Sequence, residues 1–168
     1  MFPRSIDVQS RRLFMRSLLA TGTALSLART ALAAPEGKFE ITKSDAAWRR
    51  ILTPQQYYVL RDHGTEYAGS SPLDREKRRG TFHCAGCDLP LFSSDTKYDS
   101  GTGWPSFWQP LPNAIGTSID RSFFSVRTEV HCRRCGGHLG HVFNDGPAPT
   151  GLRYCMNGVA MNFKPAKA

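Results

Sequence analysis

The stretch Phe124-Ser125-Val126-Arg127-Thr128-Glu129-Val130-His131-Cys132-Arg133-Arg134-Cys135-Gly136-Gly137 decides how this chain folds. Phe124, Val126, Thr128 and Val130 alternate with Ser125, Arg127 and Glu129, the period-two pattern of a half-buried strand. The strand runs directly into a Cys-x-x-Cys pair followed by two glycines, which supply the permissive backbone that a metal knuckle requires. A β scaffold that ends in a thiolate knuckle is therefore the expected theme.

Working outward, Cys84-Ala85-Gly86-Cys87 is the matching half. Cys84, Cys87, Cys132 and Cys135 together make a complete tetrahedral shell for one structural zinc, Zn2+. The two pairs lie farther apart than in a zinc ribbon, so the residues between them must be structure. A redox-active pair or two structural disulfides are the competing readings, and two pairs flanking a β segment favour zinc.

From Gly80 onward the chain consists of short aromatic and β-branched runs broken by glycine and proline, which is β texture. Residues 153–163 read as one strand, with Val159, Met161 and Phe163 alternating. Upstream, residues 34–41 read as an extended arm and Ser44-Asp45 caps a short helix. A second helix starts at Thr53-Pro54 and ends near His63-Gly64, with Tyr57, Tyr58 and Leu60 available to the core. Residues 69–79 form a solvated loop. The fold class is mainly β and antiparallel, with short N-terminal helices.

The N-terminus reads as a targeting segment. Ser10-Arg11-Arg12-Leu13-Phe14-Met15-Arg16 precedes a modestly apolar run and then Ala31-Leu32-Ala33, the parts of a cleavable export signal, and the S-R-R-x-F frame resembles a twin-arginine (Tat) signal. Residues 1–33 are expected to be removed after Ala33, leaving residues 34–168 as one domain. Thr21, Gly22, Thr23, Ser26 and Arg29 leave the run short of the ~20 apolar residues of a membrane span, so no stable membrane insertion is expected. Folding before export into the periplasm would spare zinc-loaded thiolates from disulfide formation.

The whole chain carries 22 Lys and Arg against 14 Asp and Glu. Removing residues 1–33 takes away five arginines and Asp7, leaving 17 against 13, or +4. Four zinc-bound thiolates trim this further, so the charge argues weakly for nucleic acid, and no nucleic-acid partner is expected.

Cys155 is the cysteine left over. On a strand, Arg153, Cys155 and Asn157 share a face, placing the thiol between a guanidinium that favours the thiolate and a carboxamide that can hydrogen-bond it. A buried core cysteine is the plainer reading, and the polar neighbours count against it. Gly136-Gly137-His138-Leu139-Gly140-His141-Val142-Phe143 follows the second pair and carries two imidazoles suited to proton donation near neutral pH. A second metal site or a surface location are the alternatives for His138 and His141. In Gly101-Thr102-Gly103-Trp104-Pro105-Ser106-Phe107-Trp108, the residues flanking Trp104 suggest an indole held as the wall of an apolar pocket.

These clusters, together with Thr65-Glu66-Tyr67-Ala68-Gly69-Ser70-Ser71-Pro72-Leu73, resemble the type-B methionine sulfoxide reductases across residues 48–163. The resemblance implies two antiparallel β-sheets, a structural zinc, and action on the R epimer of protein-bound methionine sulfoxide. It implies Cys155 as nucleophile, His138 and His141 as the groups that hold and protonate the departing oxygen, and Arg153 and Asn157 as support. Trp104 would meet the sulfur-bound methyl group, Phe143 would join in substrate binding, and Asp145 would position the histidines. Many relatives carry a second cysteine where this chain has Thr102, so the Cys155 sulfenic acid is expected to be reduced by an external thiol, thioredoxin-like or small. A monomer is expected. A zinc-ribbon binding module and a zinc-stabilised folding factor remain as competitors, and neither explains the thiol.

Overall fold

Two capped helices open the described part of the molecule, a computed structural model covering residues 39–122 and 125–167. The expected signal segment and the first residues of the expected arm lie outside the described residues. Helix α1 (Asp45–Ile51) is capped by the Ser44 side chain and buries Trp48. Helix α2 (Pro54–Leu60) has Pro54 at its first position and a reciprocal capping box between Thr53 and Gln56. The helix stops at Leu60, earlier than the expected His63, and it buries Tyr57, Val59 and Leu60 while Tyr58 stays exposed. Tyr57 and Leu60 stand three residues apart on one helix face, and Tyr58 is rotated off it. The described part of the arm docks on the second knuckle, where Ile41 N donates to Arg134 O at 2.9 Å and Phe39 meets His131 edge-on.

Strands β1 (Gly80–Cys84), β2 (Pro90–Ser93), β3 (Lys97–Tyr98), β4 (Ser106–Phe107), β5 (Ile115–Asp120), β6 (Arg127–Cys132), β7 (His138–Phe143), β8 (Arg153–Met156) and β9 (Met161–Pro165) follow. They form two antiparallel sheets with orders β2-β1-β9 and β3-β4-β8-β7-β6-β5. The core lies where the sheets meet. Phe92 of β2 stacks on Phe107 of β4 at 4.3 Å between centroids, and Phe82 of β1 meets Phe107 edge-on at 4.9 Å. All three are fully buried, and each such side chain contributes roughly 1.5–3 kcal/mol of transfer free energy.

Two sequence expectations are corrected. Phe124 lies outside the described residues, Val126 and Thr128 are exposed, and Glu129 and Val130 are both buried. The end of β6 is covered on both faces, so period two does not describe it. A register irregularity between Val130 and His131 accompanies this change. Residues 153–163 are two strands, not one. A 3-10 turn (Gly158–Ala160) separates β8 from β9, which belong to different sheets. The turn is fixed by Glu66, whose carboxylate accepts from Gly158 N at 2.6 Å and Val159 N at 2.9 Å and so takes both donors away from any ladder.

Candidate active site and metal centre

The two Cys-x-x-Cys segments fold into a matched pair of knuckles. Cys84 N donates to Leu89 O and Asp88 N to Cys84 O. Cys132 N likewise donates to Gly137 O and Gly136 N to Cys132 O, all at 2.8–2.9 Å. The residue after the second thiol of the second pair, Gly136, has φ +68°, and its counterpart in the first knuckle is Asp88 at +61°. The four sulfurs gather within 4.8 Å of one another, with Cys84 Sγ 3.7 Å from Cys135 Sγ and Cys87 Sγ 3.5 Å from Cys132 Sγ. Zn–S bonds of about 2.3 Å in a tetrahedron demand sulfur separations of about 3.8 Å, whereas a disulfide needs about 2.05 Å. The cluster therefore fits a four-thiolate zinc. Its ligands join the end of β1 in one sheet to the end of β6 in the other.

Cys155 occupies the middle of the six-stranded sheet. Its register partner on β4 is Ser106 and its partner on β7 is His141. The same row continues from Ser106 to Tyr98, and from His141 through Glu129 to Ser118. Directly opposed residues of an antiparallel ladder project to one face, so the thiol, an imidazole and a carboxylate stand in line across the sheet. Phe143 and Arg153 are the neighbouring pair on that face, with the guanidinium 4.4 Å above the Phe143 ring.

His138 reaches this row because β7 is irregular. On a regular strand residues 138 and 141 would point to opposite faces. The bulge inserts a residue, pairing Val130 with Gly140 and His131 with His138, and brings the His138 and His141 rings to 5.4 Å. Gly140 makes the close approach possible. A Cβ there would sit 2.1 Å from the Cys155 carbonyl oxygen. His138 is buried and donates from Nδ1 to Glu129 Oε1 at 2.8 Å. Among the described residues its Nε2 has no partner. His141 Nε2 donates to Asp120 Oδ2 at 2.8 Å, and Arg127 holds the same oxygen at 2.7 Å.

The electrostatics are those of a half-sealed site. Burial would raise the Glu129 carboxyl, but hydrogen bonds from His138, His63 and Ser118 outweigh it and hold the group well below the usual range. Burial also opposes ionisation of Asp120, where Ser122, His141 and Arg127 prevail and keep it charged. His141 is lowered by burial, which the bond to Asp120 only partly offsets. The Cys155 thiol is pushed up by burial against the opposing pull of Thr102, Arg153 and Ser106.

A SelR domain model matches residues 52–165, a span that holds both knuckles, the row through Cys155 and the Trp104 loop. The chain belongs to the SelR family, the type-B methionine sulfoxide reductases. It is similar to proteins named peptide methionine sulfoxide reductase MsrB. The one from Agrobacterium fabrum is 54% identical over 127 residues, covering 75% of this chain and 94% of the relative. The one from Leptospira interrogans is 53% identical over 127 residues, covering 75% and 97%. The one from Methanosarcina barkeri is 54% identical over 125 residues, covering 74% and 88%.

Within this SelR domain, Trp104 Nε1 donates to Glu66 O at 3.2 Å, and its loop is pinned by Gly69 N donating to Gly103 O at 2.7 Å. Gly103 has φ +84°, a conformation that favours glycine. Asn157 lies just past β8, where Oδ1 accepts from Glu66 N at 3.0 Å and Nδ2 donates to Leu139 O at 3.1 Å. The carboxamide is thus tied to the backbone around the thiol, in place of the expected hydrogen bond to sulfur. Asp145 also differs from expectation. It forms a two-pronged pair with Arg153, both bonds 2.8 Å, and stands away from the histidines. Their carboxylate partners are Glu129 and Asp120, to which sequence reading assigned no role. Two histidines three apart in a strand require a bulge to share a face, and that requirement is the signal in the sequence that leads to Gly140 and the strand opposite. The three groups crowded as metal ligands would be are His63, Glu129 and His138, without His141. Thr102 Oγ1 lies 3.8 Å from Cys155 Sγ and 2.9 Å from Ser100 Oγ, which in turn meets Ser106 Oγ at 2.7 Å.

Proposed function

We propose that this methionine sulfoxide reductase acts on the R epimer of protein-bound methionine sulfoxide through a sulfenic acid on Cys155. The observation that carries the reading is the opposition of Cys155 and His141 across the β7–β8 ladder, with the unpartnered His138 Nε2 beside them. Sulfoxide sulfur becomes a good electrophile only when its oxygen is hydrogen-bonded or protonated, so a thiol and an acid are needed together.

Cys155 sulfur attacks the sulfoxide sulfur while the histidines hold the oxygen, directly or through water, and His138 protonates it. The oxygen is transferred, methionine leaves and Cys155 is left as sulfenic acid. Two external thiols then reduce it, releasing water and forming their own disulfide, because the remaining four cysteines are committed to the metal cluster. Trp104 and Phe143 are the apolar surfaces available to the substrate methyl group. Arg153, held by Asp145 and stacked on Phe143, sets the charge beside the thiol. Zinc bound by four thiolates has no position open to substrate and supplies a crosslink.

The N-terminal residues support a location outside the cytoplasm. We take residues 1–33 as a twin-arginine signal cleaved after Ala33, delivering a folded, monomeric domain of residues 34–168 to the periplasm, where a thioredoxin-like or small thiol serves as reductant. No helix among the described residues is long and apolar enough to cross a membrane. Arg11→Lys with Arg12→Lys should leave an uncleaved precursor in the cytoplasm, and normal export of that variant would refute the assignment.

The deciding experiment is reduction of R and S peptide methionine sulfoxides by the zinc-loaded domain with excess dithiol. Loss of the R epimer alone, abolished by Cys155→Ser, is expected. Equal use of both epimers, or an active Cys155→Ser variant, would overturn the mechanism.

A further inference from the structure

Glu129 has no part in the reaction so far, yet it is a carboxylate only 5% exposed, on the strand next to the sheet's β5 edge. A buried charge persists only where its partners are placed well. Here three donors converge from three elements. His138 Nδ1 of β7 lies 2.8 Å and His63 Nδ1 3.1 Å from the same Oε1, while Ser118 Oγ of β5 donates to Oε2. His63 follows α2 and makes its approach with φ +54°, a left-handed conformation uncommon outside glycine. Its ring packs 5.2 Å from that of His138.

We infer that Glu129 and His63 are positioning residues for the acid: together they fix His138 with its proton on Nδ1, leaving Nε2 as the one ring nitrogen free to serve the sulfoxide oxygen. The inference rests on the proposed reaction. A carboxylate on Nδ1 orients the ring and fixes a proton on that nitrogen. The proton that leaves is the Nε2 proton, which passes to the oxygen, while the Nδ1 proton stays in its bond to Glu129. His138 ends neutral and regains a proton at Nε2 from water. His63 saturates Oε1 from its other side, so the carboxylate cannot rotate away from His138.

The test uses the full zinc-loaded chain labelled with 15N-histidine, in wild type, Glu129→Gln, Glu129→Asp and His63→Gln. Ring 1H–15N correlations report which nitrogen of His138 carries the proton. Steady-state kinetics and a single turnover on peptide methionine-(R)-sulfoxide by pre-reduced enzyme report the chemistry. Wild type should show protonated Nδ1. Glu129→Gln should lose that signature and about 100-fold in the single-turnover rate, the range of one general acid, with KM within about 3-fold. Glu129→Asp should recover part of the rate, and His63→Gln should lose about 10-fold while remaining folded. The positioning role is overturned if wild-type His138 lacks a proton on Nδ1, or if His63→Gln and any folded Glu129→Gln turn over at the wild-type rate. A wild-type chain that reduces neither epimer would instead overturn the reaction, and the ring signature would still report the Glu129 contact.

Discussion

Cys155 and His141 are register partners, held opposite one another by the β7–β8 ladder. Neither residue depends on a loop for its placement. The pair is therefore as rigid as the sheet, and in the proposed reaction substrate recognition falls to the Trp104 loop and the Phe143–Arg153 stack at its border.

Burial raises the Cys155 thiol and Arg153 is among the groups that lower it, with burial prevailing. Raised pKa means that the thiolate fraction is small at neutral pH and climbs as the solution becomes alkaline. Alkylation of Cys155, followed by peptide mass spectrometry on zinc-loaded protein, should accelerate with a midpoint above the value of about 8.5 for a free thiol. In Arg153→Met the midpoint should move higher still. A midpoint that moves down would show that the guanidinium does not act on the sulfur.

Gly140 lies close against the backbone of the Cys155 strand. Gly140→Ala places a methyl against the Cys155 carbonyl, where no flexible side chain can yield. A loss of about 3 kcal/mol in denaturant unfolding is expected. Activity should fall further than stability explains, because the same bulge carries His138. Wild-type activity in a folded Gly140→Ala variant would remove the bulge from the mechanism.

Glu66 links the Trp104 loop to the turn that follows the Cys155 strand. It receives Gly158 N and Val159 N on its carboxylate, Trp104 Nε1 on its carbonyl, and donates its own N–H to Asn157. Glu66→Ala strands two buried amide donors and should cost about 2–4 kcal/mol. Burial raises the Glu66 carboxyl even against those hydrogen bonds. Its contribution is thus complete below the ordinary glutamate value and declines as pH rises through the raised one. That slope in the stability–pH curve should disappear in Glu66→Ala.

Thr102 sits 3.8 Å from the Cys155 sulfur and cannot form a disulfide. Intact-mass analysis of the enzyme after one turnover without reductant should show one added oxygen, trappable by a sulfenic-acid reagent, and no disulfide that includes Cys155. In Thr102→Cys the introduced thiol should condense with the oxidised Cys155, replacing the added oxygen by a disulfide between the two positions. A disulfide in the unsubstituted enzyme would mean that a metal ligand is released during turnover.

What could be read in the residues alone divides along a physical line. The knuckles and the helix caps are local chemistry, in which a spacing and a few residue types determine the geometry, and both were legible. The contact between Glu129 and His138 arises from a bulge and a cross-strand register, which involve residues far apart in sequence. Alternation misassigned Glu129 for the same reason, since period two assumes one dry face and β6 ends with two. Asn157 was placed on a continuous strand because nothing in residues 153–163 announces that Glu66, some ninety positions earlier, would capture the next two amides.

The order of the strands in space differs from their order in the chain, and this bears on assembly. All four prospective zinc ligands precede Cys155, which lies on a strand inserted between β4 and β7. During synthesis the metal cluster can be filled, and its thiols withdrawn from reaction, before the remaining thiol emerges. The newcomer then acquires its acid and its charged neighbour only by completing the sheet. The acid and the charge that surround this sulfur are in this way absent from the growing chain and present only once the sheet is closed.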